Sequence, residues 1–406
     1  MKRRELLRGA GYAALSVAVP GILASRVSFA APAAGDARFV FVLLRGALDG
    51  LAAVPPVGDQ DYRQLRGELA LNDTAGLVPL DDLFALHPSL PFLAQQWRAQ
   101  QLAVIHATAT PYRARSHFDA QDVLENGLAL PHASRSGWLN RALGGMPHAA
   151  AIPLRHAGVA LGAGIPLVMR GENDVASWAP SRLPQLEDDT LQRLSDLYAS
   201  DVVLSRRLAD ALAAGEIASE AGMDAGMNAA AGGRGAEAQV SQTAKTAAGF
   251  LAREDGPRIA VFETTGWDTH ANQGTDKGAL ALRLAALDAG LRTLCTELGP
   301  VWDRTVVLVA TEFGRTAAIN GTRGTDHGTG AAAFLLGGAV RGGRSVGDWP
   351  GLSQGALYEG RDLRPTTDLR SVMKGVLRDH VGVAPRFIDS VVFPDSSAAP
   401  CLSGLV

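Results

Sequence analysis

Cysteine, lysine and long apolar runs are all scarce in this 406-residue chain, and each shortage excludes something. Only Cys295 and Cys401 are present, so a disulfide framework is ruled out and at most one bridge is open to the chain. No stretch beyond the amino terminus supplies the roughly 20 uninterrupted apolar residues of a membrane span, so no span is expected in the mature chain. Arginine carries nearly all the positive charge, which makes any one arginine weak evidence for an anion site. No tandem repeat is evident, and a hydrophobic fraction of 47% is ordinary for a globular enzyme.

What the amino terminus does contain is a targeting pattern. Lys2-Arg3-Arg4-Glu5-Leu6-Leu7 reads as a twin-arginine box, Gly11 to Ala24 is a short apolar stretch broken by Pro20, and Ser28-Phe29-Ala30 offers small residues for cleavage. Residues 1–30 are therefore expected to be a signal peptide and the mature protein to be periplasmic or extracellular. That leader holds five basic residues and one acid, so the formal charge of −3 becomes −7 without it. An acidic mature surface argues against nucleic acid or anionic membrane as a partner. Twin-arginine export moves folded proteins, which favours a metal or cofactor loaded before export.

The remaining chain reads as an α/β fold, a mostly parallel central sheet flanked by helices. Phe39 to Leu44, Leu102 to Ala107, Ile259 to Phe262 and the run from Thr305 lack alternation, as do strands covered on both faces. Ser89 to Gln100, His117 to Asn126 and Lys277 to Leu298 read as intervening helices, the second stopped by Gly127. Ala331 to Val340 reads as a further strand and Asp368 to His380 as a helix. Residues 31–395 are expected to form a single domain with an inserted cap over about 144–251. That cap would contain short strands near Val159 and Leu167, helical stretches Leu183 to Ser200 and Val202 to Ala214, and a loop from Gly222 to Gly235. Residues 396–406 are expected to be a flexible tail.

Three of the strands end in residue types that bind metals. Arg45, Gly46 and Asp49 follow the first, GWDTH with Asp268 and His270 follows the Ile259 strand, and Glu312, Gly314 and Arg315 follow the Thr305 strand, with Asp326 and His327 beyond. Ligands in open α/β sheets collect outside the carboxyl ends of the strands, so one shared site is the economical reading. Asp268 and His270, two apart on an extended segment, point to one side. With His327 they make a two-histidine, one-carboxylate set suited to zinc with an open coordination position. The bland alternative makes Asp268 a helix cap and His270 a surface residue.

Other residues divide between two roles in the same way. Asp49 is either an acidic ligand or the acid of an Asp-Gly turn. Glu312 follows an apolar run and needs a partner, either a cation, Arg315 or several donors. Ser116 precedes a helix as a conventional cap, yet the same position stabilises an anionic nucleophile. Arg45, Arg113, Arg115 and Arg315 are available to neutralise an anionic group. His87, His106, His132, His148, His156 and His380 lack a companion motif and read as structural or solvated, whereas His117, next to Ser116, is a second-tier candidate.

The boxes LLRGALDGL, YRARSHFDAQDVLENG, GWDTHANQG, ATEFGRT and TDHGTG, in this order across nearly the whole mature chain, resemble the bacterial domain-of-unknown-function 1501 family. That resemblance implies twin-arginine export, a neighbouring exported protein as partner, and a fold similar to the alkaline phosphatase and sulfatase superfamily. It implies Ser116 as nucleophile, Asp49 as acidic ligand, Asp268, His270 and His327 at one metal position, and Glu312 where the other position has an Asp followed by His. Here Phe313 takes the place of that His, so any second ion would be calcium, magnesium or manganese held through Asp49, Ser116 and Glu312. The C/S-x-P-x-R pattern of formylglycine sulfatases is absent around Ser116. The expected activity is metal-dependent hydrolysis of a phosphate or sulfate ester, with Arg315 or Arg113 on the non-bridging oxygens of an anionic small molecule or polysaccharide. The alternative is a non-catalytic periplasmic binding or assembly protein with a degenerate metal site.

Overall fold

Parallel pairing sets the level at which the chemistry appears. Strand β1 (Arg38–Arg45) lies between β5 (Ile259–Thr265) and β6 (Thr305–Thr311), parallel to both. Arg45 pairs with Thr265 and Leu44 with Thr311, so the three strands finish at one height. The computed structural model describes residues 36–71, 76–147, 157–162, 164–179, scattered positions from 193 to 212, and 235–406. The expected signal peptide lies outside the described residues, as do positions 222–234 and much of the two expected helical stretches between Leu183 and Ala214.

The sheet has nine strands. Outward from β6 come β7 (Ala331–Leu336), β2 (Leu102–Ala109) and β8 (Arg344–Val346), with β9 (Thr367–Asp368) also on β2; outward from β5 come β3 (Gly158–Leu161) and β4 (Ala176–Trp178). Among the described strands of this sheet only β7 runs antiparallel to its neighbours, β2 and β6. It therefore starts at the edge where the others stop, and the 312–330 segment stays at that edge.

Both faces of the sheet are covered, which is why the strands read as unbroken apolar runs. Val40, Val42 and Leu44 face one core with residues of α3 (Pro91–Arg98), α6 (Ala236–Ala252) and α7 (Ala279–Leu298). Phe39, Phe41 and Leu43 face the other with α5 (Trp138–Leu143) and α8 (Leu369–Val376). Burying each such side chain contributes about 1.5–3 kcal/mol. A buried acid positions one helix on another: Asp288 of α7 accepts the free amides of Phe92 and Leu93 at the start of α3, both at 3.0 Å. Three further helices are α1 (Gly50–Ala53), α2 (Tyr62–Arg66) and α4 (His117–Asn126), the last closed by left-handed Gly127.

Two expectations change. The described part of the 144–251 stretch is not an inserted cap, because β3 and β4 extend the sheet from β5 and α6 packs into the core through Ala244, Ala247, Ala248, Phe250 and Leu251. Leu167 lies in a 3-10 turn, not a strand, and the Ala-rich periodicity of α6 was weak enough to miss. The segment after Phe393 is packed and not a loose tail: Ala399 and Leu405 are buried, Leu402 N donates to Ser371 O and Arg341 N to Leu405 O. Cys295 and Cys401 are both free and half-buried.

Candidate metal centre

Each of the strand-end loops is held by its own backbone before any ligand is considered. Beyond β6, Gly314 N donates to Thr329 O, Gly328 N to Gly314 O and Thr316 N to Asp326 O, a narrow antiparallel bridge that sets His327 opposite Arg315. A Cβ at Gly314 would stand 1.8 Å from Gly330 O, so only glycine allows the two halves of the loop to meet. Beyond β5, Trp267 is buried with its indole donating to Thr264, which anchors the turn that carries Asp268 and His270. The two loops then cross, since the His270 carbonyl accepts from Asn320 Nδ2 at 2.9 Å and Thr322 Oγ1 at 2.6 Å. His117 comes from a third place, the first residue of α4.

Three imidazoles and one carboxylate converge there. His327 Nε2 lies 2.9 Å from both His117 Nε2 and His270 Nε2. Asp268 oxygens lie 3.0 Å from His270 Nε2, 3.4 Å from His327 Nε2 and 3.5 Å from His117 Nε2. A tetrahedral ion with metal–nitrogen bonds of about 2.0–2.1 Å separates its ligand atoms by about 3.3 Å, and the contacts among His117, Asp268 and His327, from 2.9 to 3.5 Å, lie about that value.

The opposite ring nitrogens decide the protonation. His117 Nδ1 lies 2.7 Å from Glu312 Oε1, His270 Nδ1 3.1 Å from Asp326 Oδ1 and His327 Nδ1 3.0 Å from the Arg115 carbonyl. All three partners only accept, so each Nδ1 carries a proton, and in the neutral ring each Nε2 presents a lone pair. Lone pairs this close repel unless a positive charge stands among them, and one proton can serve only one of the two 2.9 Å contacts. The set, three imidazole nitrogens and a carboxylate with outer hydrogen-bond partners, fits a borderline-soft divalent ion.

Electrostatics agree with the geometry. The hydrogen bond that His117 donates to Glu312 raises the His117 pKa above its ordinary value, while burial and the neighbouring His117 lower that of His327. Burial pushes Glu312 upward, but hydrogen bonds from His117 and Gln121 more than offset this and its carboxyl sits below the usual range. Asp268 is likewise pushed upward by burial and brought lower by Arg315.

The expected ligands therefore separate into two groups. Asp268, His270 and His327 meet, and His117, held as a second-tier candidate, forms with Asp268 and His327 the set whose ligand atoms all lie within 4.8 Å of one another, a set that His270 does not join. Glu312 instead orients His117, with its oxygens filled by Gly46 N at 2.8 Å, His117, Gln121 and Thr311. Asp49 is fully buried against Arg66, accepts from Gln273 Nε2 at 2.7 Å and caps α1 through Ala52 N. Among the described residues no second cluster of three His, Cys, Asp or Glu side chains forms, and the carboxylates of Asp49 and Glu312, the acids expected to hold a second ion, are engaged by protein donors.

Arg315 and Arg113 are both engaged by protein acceptors. Arg315 is buried and donates to Asp268 and to the side chain and carbonyl of Thr325, holding a ligand in place. Arg113 donates to the carbonyls of Thr110 and Tyr112 in its own loop. Ser116 occupies the cap position of α4 with extended backbone, yet its side chain makes no capping bond. Asp326 and the Arg115 carbonyl were missed as orienting groups, and only the adjacency of Asp326 to His327 signalled either.

No curated protein matches the chain. Among solved structures it is similar to Ps i-CgsB in complex with k-i-k-neocarrahexaose, at 10% identity over 86% of this chain and 72% of that one, with a TM-score of 0.40. It is also similar to the phosphonate monoester hydrolase of Agrobacterium radiobacter, at 11% identity over 86% and 74%, with a TM-score of 0.34. The boxes that build the centre fall within one matched region, and over residues 36–392 the chain belongs to the family described as Protein of unknown function (DUF1501).

Proposed function

We propose that this protein is an exported, metal-dependent hydrolase of phosphate or sulfate esters, with one divalent ion, zinc or a similar metal, held by His117, Asp268, His270 and His327. The observation that carries this reading is the orientation of three histidines, each with its Nδ1 against an accepting oxygen, the Nε2 of His327 lying 2.9 Å from those of His117 and His270. A bound divalent ion supplies a Lewis acid that withdraws charge from a reacting oxygen.

The chain's own groups account for the rest. Ser116 adjoins a ligand and stands at the start of a ten-residue helix, whose free amides and dipole favour an anionic oxygen. Its hydroxyl attacks phosphorus or sulfur, its proton leaves to solvent, and the ester oxygen departs with the alcohol, which takes a proton from water. A second water then attacks the same centre and frees Ser116. Arg315 keeps Asp268 ionised and fixed throughout. The substrate is an anionic small molecule or polysaccharide, and no described helix is long and apolar enough to cross a membrane.

Elemental analysis of protein folded with zinc, manganese and iron available should find about one ion per chain, lost in His270→Ala, together with metal-dependent hydrolysis of aryl phosphate or sulfate esters. Protein without stoichiometric metal sinks the reading. One observation favours a second reading: Asp49 and Glu312, the further acids expected as ligands, are both held by protein partners. Metal-loaded protein inactive across a broad ester panel would make an exported binding or assembly protein the better reading.

A further inference from the structure

His327 is gripped from outside the centre by a short hairpin that the sequence did not single out. Tyr358 N donates to Asp362 O at 2.8 Å and Asp362 N returns to Tyr358 O at 3.0 Å, closing a five-residue turn. Arg361 Nη2 from this turn donates to the His327 carbonyl at 2.9 Å. Arg115 Nε donates to Asp362 Oδ2 at 2.8 Å, Arg115 Nη2 to Glu359 Oε2 at 2.6 Å, and the guanidinium stands over the Tyr358 ring, 5.9 Å from its centroid. Asp362 is fully buried, so its contact with Arg115 is shielded from solvent.

The other end of Arg115 reaches the centre. Its backbone is left-handed, with φ of 62°, a conformation in which a non-glycine residue is strained and which therefore has to be held. In that conformation its carbonyl faces His327 Nδ1 at 3.0 Å. Side chain and carbonyl of one residue thus join the hairpin to the ligand.

We infer that Arg115 is a positioning residue: clasped by Asp362, Glu359 and Tyr358, it holds its carbonyl where it fixes the His327 ring with Nε2 toward the metal. The inference rests on reading the cluster as a metal centre, and it goes beyond that reading in assigning control of one ligand to a hairpin remote in sequence. A purely structural pair would change stability alone. A clasp changes the state of His327.

Arg115→Gly separates the two, because glycine accepts φ of 62° without strain while the guanidinium is lost. In metal-free protein with labelled histidine, nitrogen NMR should show His327 protonated at Nδ1 in the wild type and as a tautomer mixture in Arg115→Gly. Competition with a chelator should show zinc bound about 10- to 100-fold more weakly by Arg115→Gly, the usual effect of removing an outer partner of a ligand, with a smaller loss in Glu359→Gln. Wild-type tautomer and affinity in Arg115→Gly overturn the clasp and leave the metal centre standing. A wild type that binds no zinc overturns the metal centre, and the tautomer measurement then decides the clasp by itself.

Discussion

His117 Nδ1 and Glu312 Oε1 lie 2.7 Å apart, joining the first residue of a helix to the residue that ends a central strand. Glu312 is buried and its carboxylate takes donors from three other groups, so it would act on a metal bound at the centre through the imidazole. Glu312→Gln should keep the fold and weaken zinc binding about 10- to 100-fold, read by chelator competition. Glu312→Ala leaves several buried donors unpaired, at about 1–3 kcal/mol each, and should lower the urea midpoint markedly.

Ser116 is expected to behave unlike an ordinary cap. Losing a capping hydroxyl costs about 0.5–2 kcal/mol, but this side chain makes no such bond, so Ser116→Ala should change stability by less than about 0.5 kcal/mol. Turnover of an aryl ester should fall by orders of magnitude in Ser116→Ala and in Ser116→Asn. Full activity in either variant would remove Ser116 from the chemistry.

Acid should weaken the fold through histidines far from the centre. Burial lowers the pKa of His380 to about 4 and that of His106 to about 3, against 6.5 in the unfolded chain. The unfolded state binds protons first as pH falls, so this stability is present above about pH 6.5 and is lost from there down through the folded values. For His380 the loss is on the order of 3 kcal/mol. Urea unfolding of wild type and His380→Gln between pH 7 and pH 4 should show the gap between them narrowing as pH falls.

Metal loading should carry its own pH signature. His117, whose pKa is raised by Glu312, must give up its proton to coordinate, so zinc affinity should climb as pH rises through the neutral range, with proton release measurable by calorimetry in two buffers. An affinity independent of pH from 6 to 8 would show that His117 is not a ligand.

Export should depend on the paired arginines. Arg3→Lys with Arg4→Lys should leave the protein in the cytoplasm, measured by cell fractionation; normal delivery of that variant would show the leader misread.

The strands and the grouping of Asp268, His270 and His327 were legible because apolar runs and strand-end motifs are local signals. Helix α4 was legible to the residue, with Ser116 before it and Gly127 after it. The roles of Asp49 and Glu312 were not, since both depend on which distant side chain arrives. Arg66, the partner of Asp49, comes from a loop-rich stretch without periodicity, and the two nitrogens of His117 look alike in a sequence. Arg315 was legible as the neighbour of a strand end, but its direction toward Asp268 follows from the Gly314 turn.

The reversal of β7 also has a meaning for synthesis. His117 and His327 stand 210 residues apart in the chain, and His327 reaches the rim only because the chain turns back into β7 after β6. A nascent chain that has not yet emerged past this turn holds two of the histidines and Asp268 but cannot close the set. Contacts of such separation form late and slowly. An ion bound by this set would therefore be acquired near the end of folding, and the metal supply of the compartment where the chain folds would decide which one.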